Sequence, residues 1–145
     1  MTIRWILLFA ALAAGGRAEP QCSWLNSGTA AGLLGAPIRS QKIAADGSAC
    51  QFVSPSGELR ILVEGAPASH AERCSGPAES LKAIGNEASS CAIESKDGKP
   101  AEQVAGRVRD RAFVIVVTSE DRGISRQVLK ERARKAAEHV AGILF

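Results

Sequence analysis

Arg107 and Arg109 stand two apart in a segment that reads as a strand, so they share one face, and Arg111 follows in the adjoining turn. Guanidinium groups on one strand face can grip a carboxylate or phosphate in bidentate fashion. If the strand carrying Arg60 lies alongside, Arg60, Arg107, Arg109 and Arg111 form a candidate anion site. The competing reading is a solvated face whose arginines pair with Glu102 or Asp110. His70, in the run Ala68-Ser-His-Ala-Glu-Arg73, could act as a base with Glu72 or Glu79, against a reading as a solvated loop histidine. His139 sits beside Val140 at the edge of an apolar stripe and reads as a boundary residue. There is no G-x-S-x-G elbow, no Gly-rich phosphate loop and no H-E-x-x-H pair. No catalytic residue, cofactor or metal site is therefore expected, and the chain reads as a non-enzyme.

Four cysteines, Cys22, Cys50, Cys74 and Cys91, carry the remaining chemistry. Zinc or redox work would want close C-x-x-C spacing, which none of them has. Four cysteines allow three pairings. Cys22–Cys50 and Cys74–Cys91 are favoured, because each pair flanks one helix-then-strand segment.

The elements that must position these residues follow from patterning. Asn26 or Ser27 can cap a short helix through Leu34, with Gly35 as its left-handed stop. An extended stretch over 38–44, a hairpin signal at Asp46-Gly47 and strands over 49–53 and 58–64 come next. Leu59, Ile61 and Val63 face one way; Arg60, Leu62 and Glu64 face the other. The Gly-, Ala-, Pro- and Ser-rich stretch 65–77 reads as a connection with a turn of helix near Ser69–Arg73. A second helix is expected over 78–84, started by Pro77 and stopped by Gly85. Extended segments over 90–95, 103–108 and 112–118 follow. The unbroken run Phe113 to Val117 marks a strand covered on both faces. Residues 124–144 form a long amphipathic helix with Ile124, Val128, Leu129, Ala133, Ala136, Val140 and Leu144 on its apolar stripe, and Asp121 as a candidate cap. Arg126, Lys130 and Arg134 make one basic edge. The fold class is α+β: a twisted antiparallel sheet flanked by helices, with a long C-terminal amphipathic helix and two helix-three-strand halves that read as a candidate duplication.

The N-terminus sets the compartment. Arg4, the apolar run Trp5 to Ala14 and the small residues before Glu19 have a secretory-signal layout, with cleavage expected after Ala18. That gives a signal peptide at 1–18 and a single domain at 19–145. The run is shorter than the roughly 20 residues a membrane span needs. A buried N-terminal helix is the alternative. The formal charge of +3 includes Arg4 and Arg17, leaving about +1 on the remainder, so no general attraction for nucleic acid follows. With no tyrosine and 4 % aromatics, bases would find few stacking platforms. Export points to a periplasmic or extracellular location, where disulfides are the default.

Cys22-Ser-Trp-Leu-Asn-Ser-Gly-Thr-Ala-Ala-Gly-Leu-Leu-Gly35, followed by a lone strand cysteine at Cys50, resembles the opening of small exported proteins and lipoproteins of the DUF3558 type. Ile84-Gly85-Asn86-Glu87-Ala88 is similar to the turn after their second helix, and the final amphipathic helix also fits. The resemblance spans most of residues 19–145 and implies a helix-flanked antiparallel sheet in an exported, sensor-like domain. It transfers no catalytic residue. The chain departs from lipoprotein members in lacking a lipobox, and Cys74 and Cys91 lie outside the shared pattern. The expected function is a non-enzymatic binding or sensor-like domain for an unknown protein or small anionic ligand of the cell envelope. The alternatives are a disulfide-stapled structural or inhibitor-like protein, and a small hydrolase using His70.

Overall fold

A computed structural model describes residues 20–145; the expected signal peptide lies outside them. Two helices, α1 (Ser27–Leu34) and α2 (Arg126–Leu144), flank seven strands: β1 (Ser40–Ile43), β2 (Ala49–Ser54), β3 (Gly57–Gly65), β4 (Glu79–Ser80), β5 (Glu87–Glu94), β6 (Pro100–Val108) and β7 (Arg111–Ser119). The strands form one antiparallel sheet in the order β1-β2-β3-β7-β6-β5-β4. The expected α+β architecture is what forms.

The run Phe113–Val117 sits in the middle strand of the seven, buried on both faces. Leu59, Ile61 and Val63 of β3 join Phe52, Phe113, Ile115 and Val117 under the helices. Alternation puts Arg60, Leu62 and Glu64 on the opposite face. α2 lies across β6 and β7 and presents Leu129, Ala133, Ala136, Ala137, Val140 and Ala141. Small alanines let the helix approach the sheet closely. Val128 of the expected stripe is exposed instead (45 %). The cap of α2 is Ser125, whose hydroxyl accepts from the Val128 N–H at 3.2 Å; Asp121 accepts from Gly123 one turn earlier. Asn26 caps α1, and Gly35 closes it at φ +73°.

The helix expected over 78–84 does not form. Glu79 and Ser80 instead pair with Ser90 and Ser89 of β5, and Leu81 N–H bonds to Ala88 C=O at 2.9 Å. Only Ile84 is buried in this stretch, too little to support a short helix whose nucleation is costly. Gly85 serves close approach as well as positive φ: a Cβ there would lie 2.6 Å from the Arg107 carbonyl oxygen. Nor does a helical turn form near Ser69–Arg73, which runs as bends and extended chain. The two three-strand meanders, β1–β3 and β5–β7, do meet at the β3/β7 pair, but only the first is preceded by a helix.

Both expected disulfides are present, Cys22–Cys50 with Cα atoms 5.9 Å apart and Cys74–Cys91 with 5.6 Å. The first ties the N-terminal segment to β2 within the helix-side core; the second acts on the other face. Closing loops of 28 and 17 residues, each contributes about 3 kcal/mol by restricting the unfolded chain.

Candidate functional site

Among the described residues no helix covers the second sheet face. Strand register lays its residues in rows. One row runs Lys42, Gln51, Arg60, Val116, Gln103 and Cys91 across β1, β2, β3, β7, β6 and β5. The neighbouring row runs Ala49, Leu62, Val114, Ala105 and Ser89. Its cover among the described residues is the strap of residues 66–77, which crosses over β7 and β6 and packs Ala68 against an apolar cluster of Val114, Val116, Ala101, Ile93 and Cys91.

Several fastenings pin the strap. The Glu64 carboxylate accepts from the backbone N–H groups of Ser69 and His70, from the Ser69 hydroxyl at 3.2 Å, and meets the His70 Nδ1. Burial alone would push the Glu64 carboxyl up, but the His70 ring and these N–H donors together hold it below the usual range. Gln103, 3 % exposed, clasps the backbone of Glu72 in both directions: its Oε1 accepts from the Glu72 N–H at 2.8 Å and its Nε2 donates to the Glu72 carbonyl at 3.0 Å. Cys74 is bridged to Cys91, and Ser75 donates to the Ala92 carbonyl through its N–H at 2.8 Å and its hydroxyl at 3.0 Å. Glu72 is thereby held at the strap's inner edge while its side chain stays half exposed.

Between the strap and β1 lies a groove of about 470 Å³. Its floor is Leu62, Val114 and Val116. Lys42, Ala44, Ala49 and Gln51 form one wall, and His70 and Glu72 the other. Arg60 projects at the floor's end, with Nη2 3.7 Å from the Glu72 carboxylate. Gln51 donates to Glu58. Lys42 forms no ion pair among the described residues.

The four arginines singled out in the sequence do not converge. Register aligns Arg107 with Ala112 and Glu64, two rows from Arg60. Arg107 holds Glu87 at 3.3 Å and the Arg109 carbonyl at 2.6 Å. Arg109 lies in the β6–β7 turn with φ +56°, so it leaves the strand face. Arg111 sits over the Trp24 ring, 5.1 Å from its centroid. Only Arg60 lines the groove.

His70 meets Glu64 rather than Glu72 or Glu79; Glu72 faces Arg60, and Glu79 pairs with Lys130 of α2. Ser69 Oγ also lies 3.1 Å from His70 Nδ1. A nucleophile relay needs the hydroxyl and the carboxylate on opposite ring nitrogens. Here both address Nδ1, so the trio fastens the strap and does not activate the serine.

Among the described residues one carboxylate is fully buried. Glu102 points under α2, with its two oxygens 3.4 Å from Nε and Nη2 of Arg126. Burial pushes its carboxyl up, against the opposing pull of Arg126. Ser90 Oγ is buried without a hydrogen-bond partner on the same face. Together with Glu79–Lys130, this network fixes α2 to the β4–β6 edge. Among the described residues no cluster of His, Cys, Asp and Glu could hold a metal, and no helix is long and apolar enough to cross a membrane.

The groove's parts were partly visible in sequence. Alternation placed Arg60 and Leu62 together, and the two-sided apolar run of β7 required a cover on each face. Lys42, Gln51 and Gln103 carried no signal of their own, because their meeting depends on register. The chain matches no protein-family model, no curated protein and no solved structure.

Proposed function

We propose that this protein is a non-catalytic, extracytoplasmic binding domain that takes a small molecule into the groove between the strap and the β1–β3 side of the sheet. The observation that carries the reading is the groove itself: an apolar floor, walls bearing a few convergent polar groups, and a strap held by a disulfide and buried hydrogen bonds. Its volume falls within the range of small-molecule sites, about 300–1,000 Å³. Two structural disulfides suit an oxidising compartment, in keeping with the signal-like N-terminus. A protein partner would want a contiguous apolar patch. Among the described residues the large exposed apolar side chains, Val128 and Ile143 of α2 and Phe145 just after it, are spread apart on the other face.

The test uses N-phenyl-1-naphthylamine, a neutral dye that brightens in apolar sites. The protein takes it up saturably, and Ala49→Trp, which fills one wall, abolishes uptake while the thermal transition is retained. Absence of saturable uptake by the unaltered protein would overturn the reading.

A further inference from the structure

We infer that the groove selects an anionic amphiphile, a carboxylate-type headgroup on a short apolar body, and that Glu72 occupies the headgroup's place on Arg60 until such a ligand arrives. The inference rests on the groove reading above and names the ligand class it takes.

Lys42, Gln51 and Arg60 stand side by side on successive strands. Strands are spaced about 4.8 Å apart, so the two cations lie within roughly 10 Å of each other, on either side of Gln51, whose amide donates to Glu58. One row over, Ala49, Leu62 and Val114 are apolar. A molecule lying across these two rows meets positive charge at one end and hydrocarbon along its length.

Three carboxylates stand near this charge. Glu64 is held by Ser69 and His70, while Glu58 accepts from the neutral Gln51 amide and keeps its charge at the Arg60 end of the row. Of the three, Glu72 alone pairs with Arg60, through one contact of 3.7 Å between side chains about half exposed (48 % and 46 %). Exposed pairs of this kind are weak, and removing one changes a binding constant by a factor of up to about five. A ligand carboxylate can engage the guanidinium through two parallel hydrogen bonds, which a single long contact cannot match. Gln103 grips the backbone of Glu72 and not its side chain. The carboxylate can therefore swing away from Arg60 while the strap stays in place.

The experiment measures displacement of N-phenyl-1-naphthylamine by decanoate and decyltrimethylammonium, each below its micellar concentration, and by decanol below its solubility limit, with acetate as headgroup alone. Decanoate should displace the dye at a concentration at least tenfold lower than the other two tails, and acetate should not displace it. Glu72→Gln should strengthen decanoate two- to fivefold and leave decanol unchanged. Arg60→Gln, with its thermal transition checked, should weaken decanoate about tenfold and erase the preference. Equal displacement by all three tails would overturn the headgroup assignment and leave the groove reading standing. A Glu72→Gln variant no tighter for decanoate than the unaltered protein would overturn the role given to Glu72. Failure of the dye itself to bind would remove both readings.

Discussion

Removing the Arg126 side chain leaves Glu102 as a carboxylate sealed under α2, whereas removing the charge of Glu102 leaves Arg126 free to turn to water. The two substitutions should therefore differ in cost although they break the same pair. Glu102 is fully buried and Arg126 is 49 % exposed. Two unit charges about 4 Å apart attract by about 4 kcal/mol at an effective dielectric of about 20. Screening at the exposed guanidinium removes roughly half of that, leaving about 2 kcal/mol. Arg126→Ala should destabilise the fold by about this amount at neutral pH. Glu102→Gln keeps the shape, removes a costly buried charge, and should stay within about 1 kcal/mol of the unaltered protein. The sign with pH follows from burial, which raises the Glu102 carboxyl above its ordinary value of 4.5. The folded chain then takes up this proton more readily than the unfolded one, so the group's contribution is complete below that value and is lost as pH rises through the raised one. Without Arg126 the carboxyl rises further. The Arg126→Ala penalty should therefore be small near pH 4 and grow towards neutrality. Urea unfolding of both variants across this range is the assay. Equal losses from the two substitutions, or an Arg126→Ala penalty that does not shrink in acid, would refute the argument.

Gln103→Leu removes both hydrogen bonds to the Glu72 backbone, so hydrogen exchange at the Glu72 amide should quicken about tenfold, with about 1 kcal/mol lost in unfolding experiments. Glu64 is held below its usual range, so its hold on the strap is present above the ordinary glutamate value and lost as pH falls through the lowered one; protection of the Ser69 and His70 amides, taken relative to their intrinsic exchange rate at each pH, should fall in acid before that of the sheet. Gly106→Ala should cost about 2 kcal/mol in thermal unfolding, because a Cβ there would lie 2.4 Å from the Phe113 ring and 2.8 Å from the Glu87 carbonyl oxygen. Replacing Cys74 and Cys91 together by serine should cost about 3 kcal/mol and raise proteolysis within residues 66–77, with the Cys22–Cys50 bridge intact.

The fold was legible where burial dictates pattern. Period-two alternation in β3 separated Leu59, Ile61 and Val63 from Arg60 and Leu62, and the unbroken apolar run of β7 marked the central strand. The cysteine pairing followed from which segments lie between the cysteines. The helix expected after Pro77 failed because its boundary signals, a proline and a glycine, describe a turn and a close approach equally well. Too few apolar side chains lay between them to decide the matter. The arginine cluster rested on extending the β6 strand face to Arg109, but the two-residue turn begins there at positive φ and turns that side chain away. The groove was legible only in halves. Its floor could be read from alternation; its strap wall depends on Glu64, Gln103 and Cys91 reaching across from three strands, which no local pattern reports.

Amide chemical shifts followed while decanoate is added to ¹⁵N-labelled protein test the central claim most directly. The account predicts saturable shifts at Lys42, Ala49, Gln51, Arg60, Leu62, Val114 and Val116, with His70 and Glu72 of the strap, and none along α2. Shifts centred on the α1–α2 surface, or a spectrum unchanged up to the micellar limit, would contradict it.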